Sequence, residues 1–357
     1  MSSKGSVLVA MSGGVDSSVA ACLLHEQGYE VLGSHMRLVH LDGVEHGCCG
    51  PAARADAEAV ARRVGFPFEI ADMTLEFDRH VIGDFIAEHA AGRTPNPCAR
   101  CNGQIKFGAF LRRADELGIE LVATGHYVRT VHEEGRWRLL RGRDRAKDQS
   151  YMLHMLGQRQ LERSRFPVGA LHKTETRRLA SVFGLPVASK PDSQELCFAP
   201  SGDAGGFLRS VAPELMREGE VVDVDGRVLA HHGGVPAYTV GQRRGLGVSG
   251  HRPVYVLEVD AEANRVVVGP GELLARRGLV ADRVTWVCGH PPEDGSFEAE
   301  VRIRYRGEDV PAAVEATGER IRVGFREPQR GVAPGQSVVI YRGEELLGGG
   351  RILEPLR

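Results

Sequence analysis

Residues 7–17 are VLVAMSGGVDS, a short apolar run followed by two glycines and a polar turn. The apolar run predicts a buried strand over 7–11, and the residues after the turn predict a helix from Ser17 to Gln27 that Gly28 ends. A strand that turns directly into a helix presents backbone N–H groups and the positive end of the helix dipole to one space. The glycines let a phosphate approach these groups, because no Cβ stands in the way. The stretch therefore predicts a phosphate-binding loop.

This loop differs from the usual mononucleotide loop. No Gly-Lys-Ser/Thr closes the turn, so the loop itself places no lysine over the β- and γ-phosphates. Two glycines alone are equally compatible with an ordinary strand-to-helix turn. The complete string Ser12-Gly13-Gly14-Val15-Asp16-Ser17 resembles the loop of ATP pyrophosphatases, which split ATP between its α- and β-phosphates. The resemblance implies ATP, together with Mg²⁺.

Composition limits the possible classes of protein. The chain has 357 residues, 42% of them hydrophobic, which is enough for two or three domains. No apolar run could span a bilayer or serve as a signal sequence, so we expect a cytoplasmic protein without membrane contact. Seven cysteines, an odd number in a long chain, do not indicate a secreted disulfide framework. The net charge of −2 leaves nucleic-acid binding to local basic patches.

The pattern of elements changes near residue 200. Before it, strands alternate with helices, as in a parallel sheet covered by helices. After it, short strands alternate with turn signals, as in 221–226 (VVDVDG), and a further break lies near Gly278. We therefore predict an α/β catalytic domain with a parallel sheet and flanking helices over residues 1–200, a small β-rich central domain over 201–277, and a C-terminal β-barrel over 278–357.

Two proline-containing segments carry cysteines. Residues 94–102 are TPNPCARCN, and the two prolines predict a stiff, extended loop that presents Cys98 and Cys101. Residues 190–198 are KPDSQELCF, a second loop that carries Cys197. Only tertiary folding can bring the two loops together.

Further motifs give the chain a specific resemblance. They are residues 123–127 (ATGHY), 147–151 (KDQSY), 238–247 (YTVGQRRGLG), 302–306 (RIRYR) and 327–330 (EPQR). With the phosphate loop and the cysteine segments, they make the chain resemble the bacterial tRNA-specific 2-thiouridylases (the MnmA family) over essentially its whole length. The resemblance implies an N-terminal domain of the PP-loop, adenine nucleotide α-hydrolase-like type. It also implies a monomer that makes 2-thiouridine at the wobble position of tRNAs for Lys, Glu and Gln, with a cysteine desulfurase or sulfur-carrier protein as persulfide donor.

The implied chemistry assigns roles to the cysteines. The C2 oxygen of uridine is a poor leaving group until ATP adenylates it. In the family, one cysteine carries a persulfide that attacks the activated carbon, and a second cysteine acts as nucleophile; by position these are Cys197 and Cys101. Both need surroundings that favour a thiolate, and Arg100, Lys106 and Lys190 are candidates. By position, ATP is assigned to Ala10, Met11, Ser12, Gly13, Gly14, Val15, Asp16, Ser17, Met36 and Gly125.

RNA contacts are also assigned by position. Asn96, Pro97 and Cys98 match the triplet that meets the target base. The residues that match tRNA contacts are Lys147, Asp148, Gln149, Arg304 and Tyr305. The stretch 129–147 contains seven basic residues against three acids, which is compatible with a phosphate-binding strip or with a solvated charged hairpin.

One position departs from the family. Cys98 stands where the commonest form has Asp, which leaves the role of that carboxylate open here. Cys98, Cys101 and Cys197 together are an alternative ligand set for zinc or for an iron–sulfur cluster. Two other classes also remain: a small-molecule synthetase or amidotransferase with the same ATP loop, and a nucleotide-gated RNA-binding protein without catalysis. The pair of cysteine loops favours sulfur transfer over both.

Overall fold

The structure is a computed structural model that describes residues 4–39, 50–192, 196–199, 203–248, 252–292 and 295–357. These residues form an α/β domain, a small domain with a four-stranded sheet, and a β-barrel, in that order. The expected fold class is therefore confirmed. Within the ranges described, no helix is both long and apolar enough to cross a membrane.

A parallel sheet forms the centre of the α/β domain. The strands of this domain are β1 (Ser6–Ala10), β2 (Glu30–Arg37), β3 (Phe68–Asp72), β4 (Leu121–Ala123), β5 (Val128–Glu133), β6 (Arg136–Arg141) and β7 (Ser164–Arg165). Five of them pair in parallel in the order β3-β2-β1-β4-β7, and β5 and β6 form a separate hairpin. Leu8 packs into one core and Val7 and Val9 into another, because the sheet is covered on both faces.

Helices cover this sheet. They are α1 (Val15–Glu26), α2 (Pro51–Val64), α3 (Thr74–Phe77), α4 (Gly83–Ala90), α5 (Pro97–Cys101), α6 (Phe110–Glu116), α7 (Gln158–Glu162) and α8 (Lys173–Val182). Two π-helical segments, Asp78–Ile82 and Asn102–Ala109, join α3 to α4 and α5 to α6. The first cysteine segment thus opens one long helical stretch that ends at Glu116.

The expectation that residues 94–102 form an extended loop is wrong for its second half. Helix α5 begins at Pro97 and contains both Cys98 and Cys101. Proline is favourable at the first helical position, because its missing N–H would have no partner within the helix there. The Asn96 side chain accepts a hydrogen bond from Ala99 N at 3.1 Å and caps the helix. The segment is therefore extended only as far as Asn96.

The small domain follows with α9 (Ala204–Val211). Its strands are β8 (Gly219–Val222), β9 (Val228–His232), β10 (Tyr255–Asp260) and β11 (Arg265–Gly269), in the order β10-β11-β8-β9. Strands β8 and β11 pair in parallel, and the other two pairs are antiparallel. Val221, Val256 and Val266 are fully buried in its own small core. The domain boundaries at residues 200 and 277 stay a prediction.

The C-terminal unit is a closed antiparallel barrel. Its strands are β12 (Arg276–Trp286), β13 (Ser296–Arg302), β14 (Val310–Thr317), β15 (Arg320–Gln329), β16 (Ser337–Arg342) and β17 (Glu345–Leu356). They pair in the order β12-β15-β14-β13-β16-β17, and β17 returns to β12. Strand β15 alternates exposed and buried residues over 320–326, as a barrel wall requires.

The basic stretch 129–147 joins the α/β domain to the barrel. Strand β6 of its hairpin pairs with β17. Four of its seven basic residues meet carboxylates of the barrel: Arg129 and Arg145 pair with Glu344, Arg138 with Glu345, and Arg141 with Asp309. The stretch is therefore mainly a contact between domains, and a solvated hairpin is not what forms.

Candidate active site

The phosphate loop runs from β1 into α1 in the expected way. Gly14 precedes the first residue of α1 and no side chain caps the helix. The Ser17 hydroxyl lies 3.2 Å from both Ser12 N and Gly14 O, accepting from the first and donating to the second. The loop is thus tightened by its own serine, while the amino end of α1 is left without a side-chain acceptor. This arrangement fits an anion.

Close packing holds the loop against its neighbours. Met11 N donates to Ser34 O at 2.8 Å, which ties the loop to β2. Gly13 has a φ of +68°, and a Cβ there would lie 2.0 Å from Ala53 O of α2. Gly125, after β4, has its α-carbon so near α1 that a Cβ would lie 2.5 Å from Ser17 N. The phosphate loop, Gly125 and Met36 therefore lie together at the carboxyl ends of the neighbouring parallel strands β1, β4 and β2.

We expect Gly13→Ala to weaken ATP binding by at least about tenfold, because the left-handed φ and the contact with Ala53 would both displace the loop. Titration calorimetry with ATP measures the change. Gly28→Ala is the matched control, since Gly28 has a φ of +88° but no neighbouring atom within 4 Å of an added Cβ. Gly28→Ala should lower the unfolding temperature and leave the affinity for ATP unchanged. Equal ATP affinity in the two variants would contradict the assignment of this loop.

Asp16 is the carboxylate of the loop and it is bound by two groups from distant parts of the chain. Lys173 Nζ, at the start of α8, lies 2.7 and 2.8 Å from its two oxygens. The Tyr127 hydroxyl donates to Asp16 Oδ1 at 2.8 Å. Burial, and then the charge of Asp16, raise the pKa of Tyr127 well above its usual range. Sequence reasoning missed Lys173, since no motif marks it.

Lys173 also joins the loop to the segment that leads to Cys197. Its ammonium lies 2.7 Å from Asp192 Oδ1, and the same carboxylate binds Lys147 at 2.8 Å and Arg177 at 3.0 Å. Burial alone would raise the pKa of Asp192, but hydrogen bonds from Lys147 and Lys173 lower it to about 2. This side of the site is therefore a network of five charged side chains.

Two of the basic residues expected to favour thiolates already have carboxylate partners. Lys190 Nζ lies 2.6 Å from Asp56 and donates to Gly13 O at 3.0 Å, so it supports the phosphate loop. Arg100 lies 3.6 Å from Asp84 and donates to His80 O at 3.2 Å. Lys190 thus ties the second cysteine segment to the loop. Residues 193–195 of that segment lie outside the described residues.

The cysteines lie in different surroundings. Cys101 is buried, and Cys197 packs at the edge of the same apolar core, which also contains Ala10 and Met36. Cys98, one turn before Cys101, is exposed. Among the residues that the structure describes, no three His, Cys, Asp or Glu side chains form a group that could hold a metal ion. The alternative ligand set of Cys98, Cys101 and Cys197 is therefore not assembled.

A pocket of about 390 Å³ lies beside Cys98 and is built by all three domains. The α/β domain contributes Asn96, Pro97 and Cys98, the central domain Thr239, and the barrel Tyr305. Leu196, next to Cys197, also lines it. Burial, and then Asp148, raise the pKa of Tyr305. The expected base-contact triplet thus opens into a pocket that neither barrel nor α/β domain could form alone.

The residues assigned to tRNA contacts divide into two groups. Arg304 and Tyr305 are exposed, and Lys147 is half-buried against Asp192. Asp148 is only 7% exposed and accepts hydrogen bonds from Gly142 N, Ser150 N and the Ser150 hydroxyl. Gln149 Oε1 accepts from Tyr127 N at 2.9 Å. Asp148 and Gln149 therefore hold the surrounding chain in place, and their contact with RNA stays a prediction.

The domains of the chain match known protein families. Three family models match the chain in succession: the tRNA methyl transferase HUP domain over residues 5–201, the tRNA methyl transferase PRC-barrel domain over 206–270, and the aminomethyltransferase β-barrel domain over 276–352. The chain is thus a HUP-domain protein with two appended β domains. This order agrees with the three units of the structure.

Two curated relatives specify the family. The tRNA-specific 2-thiouridylase MnmA of Geobacter metallireducens is 49% identical over 355 residues, which cover 97% of this chain and 96% of the relative. The protein of the same name from Chloroflexus aurantiacus is 48% identical over 356 residues, which cover 98% of both. The chain belongs to the tRNA-specific 2-thiouridylase (MnmA) family.

Proposed function

We propose that this protein is a tRNA-uridine 2-sulfurtransferase that uses ATP to replace the C2 oxygen of the wobble uridine by sulfur. The observation that carries the proposal is the set of contacts that join the second cysteine segment to the phosphate loop: Lys190 Nζ donates to Gly13 O at 3.0 Å, and Lys173 Nζ binds both Asp16 of the loop and Asp192. Cys101 and Cys197 both pack against the large apolar cluster that also includes Ala10 and Met36, which agrees with this grouping. A synthetase for small molecules would need neither cysteine loop nor a pocket shared by three domains.

The first step activates the base. The C2 oxygen of uridine attacks the α-phosphorus of ATP, the bond to the β-phosphate oxygen breaks, and pyrophosphate leaves. The amino end of α1 fits the phosphates, because it carries no side-chain cap. Gly13 allows the close turn that leads to it, since a Cβ there would lie 2.0 Å from Ala53 O. Mg²⁺ would be held through Asp16 and would neutralise phosphate charge. Tyr127 and Lys173 orient the Asp16 carboxylate.

The second step transfers sulfur. The terminal sulfur of a Cys197 persulfide attacks C2, and the oxygen leaves with AMP. The Cys101 thiolate attacks Cys197 Sγ, so the bond between Sγ and the transferred sulfur breaks with its electron pair moving to that sulfur. Two cysteine thiols are oxidised to a disulfide, and the sulfane sulfur is reduced to the thiocarbonyl. A dithiol reductant then restores both thiols.

The proposed partners rest on the resemblance to the family. The persulfide comes from a cysteine desulfurase or a sulfur-carrier protein, and tRNAs for Lys, Glu and Gln are the proposed substrates of a cytoplasmic monomer. An anticodon-loop base is unpaired, so its entry into the pocket avoids most of the unstacking cost. Tyr305 lines the pocket, and the neighbouring Arg304 is exposed, so both are proposed to meet such a loop.

The test is a single-turnover reaction. Protein loaded with a persulfide, Mg·ATP and unmodified tRNA(Lys) transcript should give 2-thiouridine, AMP and pyrophosphate in equal amounts. Mass spectrometry of the digested tRNA measures the 2-thiouridine, and chromatography of the undigested reaction with labelled ATP measures the AMP and pyrophosphate. A transcript with cytidine at the wobble position is the control and should give none of the three. Cys98→Ser should still form product, because this route needs two thiols. Loss of product in Cys98→Ser, together with iron or zinc bound to the parent protein, would contradict the two-cysteine route. If the parent protein loaded with a persulfide gives no product, the proposal is overturned.

A further inference from the structure

The chain just before the first two cysteines is held by the barrel. Thr94 N donates to Pro334 O at 2.8 Å, and Gln336 Nε2 donates to Thr94 O and Pro95 O at 2.9 and 3.1 Å. Gly335 has a φ of +92°, and a Cβ there would lie 2.8 Å from the backbone of Thr94. The backbone of this segment is therefore fixed by the loop that enters β16.

The Asn96 side chain forms hydrogen bonds with both the α/β domain and the barrel. Its Oδ1 accepts from Ala99 N at 3.1 Å and caps α5, while its Nδ2 donates to the Ser337 hydroxyl of the barrel at 3.2 Å. Ala99 N–H can only donate, so it requires the oxygen of the amide to face the helix. The amide nitrogen must then face Ser337. The barrel thus supplies the acceptor that holds the helix cap in this orientation.

Ser337 is itself held firmly. It is 5% exposed, and its hydroxyl lies 3.0 Å from His154 Nε2. Its carbonyl accepts from the Tyr151 hydroxyl at 2.8 Å. Burial lowers the pKa of His154 to about 4, so the ring is neutral near pH 7 and does not compete as a charged donor. The hydroxyl therefore has a fixed position between His154 and Asn96.

We propose that Ser337 is a positioning residue for sulfur transfer: it sets the orientation of the Asn96 amide and the start of the helix that carries Cys98 and Cys101. The inference rests on the proposed function, in which Asn96 meets the target base. Ser337 does not line the pocket and acts through Asn96. The barrel then completes the geometry of the α/β site and is more than an RNA-binding appendage.

Ser337→Ala should lower kcat for 2-thiouridine formation by about tenfold to a hundredfold, because a misplaced reacting group is that costly. KM for ATP should not change, since the phosphate loop is elsewhere. Hydrogen exchange of the amides of residues 98–101 should become about fivefold faster, as expected for a weakened cap. Ser337→Thr keeps the hydroxyl and should restore both values. Ser210→Ala is the control, because Ser210 is exposed and its hydroxyl donates to Phe207 O of its own helix.

A double-mutant cycle with Asn96→Ala separates positioning from general structural support. If Ser337 acts through Asn96, Ser337→Ala should change kcat less than about twofold in the Asn96→Ala background. Fully additive losses would overturn the inference. Faster exchange with unchanged kcat would overturn it too, since the contact would then be structural only. If the parent protein makes no 2-thiouridine, the proposed function fails, while unchanged exchange in Ser337→Ala independently overturns the role given to Ser337.

Discussion

Cys197→Ser is expected to abolish 2-thiouridine formation, by at least about 10³-fold, while pyrophosphate release in the first turnover continues. Serine cannot carry a sulfane sulfur, so the activated uridine would find no sulfur nucleophile. In the proposed mechanism adenylation depends on the phosphate loop, Gly125 and Lys173, and this substitution changes none of these residues. Rapid-quench measurement of pyrophosphate and 2-thiouridine in the same samples separates the two steps.

Cys288→Ser is the matched control for this variant. Cys288 is likewise half-buried, but it lies in the barrel, where its thiol donates to His290 O at 3.0 Å. The same exchange of sulfur for oxygen there should leave both products at the parent level, and the unfolding temperatures of the two variants should be similar. Thiolation that persists in Cys197→Ser would exclude Cys197 as the persulfide carrier. Loss of pyrophosphate release would instead indicate that Cys197 supports the nucleotide site.

Local sequence patterns predict those strands, turns and loops whose conformation is determined by residues close together in the sequence. The apolar run at 7–11 marks the strand that forms over Ser6–Ala10, and Gly13 after it has a φ of +68° that other residues avoid, so the loop could be identified directly. Strand and turn signals after residue 200 likewise predicted the β domains. The extended loop expected over residues 94–102 is wrong from Pro97 onward, because Pro97 occupies the first helical position, where proline is favourable.

Contacts between distant residues could not be predicted in this way. Lys173 and Asp16 are far apart in sequence, and nothing around Lys173 shows that its ammonium will be buried. The arginines of 129–147 look like an RNA-binding strip until β17 pairs with β6 and brings Glu344 and Glu345 beside them. The sequence does not show which way a charged side chain points. Only the fold decides whether an arginine meets a phosphate or a carboxylate. The burial of Asp148 also results from the fold, and its neighbours in the sequence do not show it.

Lys173→Met should remove pyrophosphate release, by about 10³-fold or more, and lower the free energy of unfolding by about 2 kcal/mol. Lys173 is 8% exposed and is the cation shared by Asp16 and Asp192, so methionine would leave two neighbouring carboxylates without it. The loss of stability stays below the value for a fully buried pair, because the side chains of Asp16 and Asp192 are 31% and 26% exposed. Denaturant unfolding and a pyrophosphate assay at saturating tRNA measure the two effects.

Lys147→Met is the matched control, because Lys147 binds the same Asp192 but is 39% exposed and does not contact Asp16. It should weaken tRNA binding and leave pyrophosphate release at saturating tRNA nearly unchanged.

The pH dependence of unfolding adds a second comparison between Lys173→Met and the parent protein. The lowered pKa of Asp192, about 2 against 3.8 for an unperturbed carboxyl, means that its ion pairs stabilise the fold above pH 3.8 and are lost as the pH falls toward 2. Removing Lys173 raises that pKa toward 3.8, so Asp192 contributes less stability above pH 3.8. Acid unfolding of Lys173→Met should therefore begin at a higher pH than in the parent protein, and the difference in stability between the two should shrink as the pH falls toward 2. An unchanged acid transition together with normal pyrophosphate release would show that Lys173 neither stabilises this network nor orients Asp16 for catalysis.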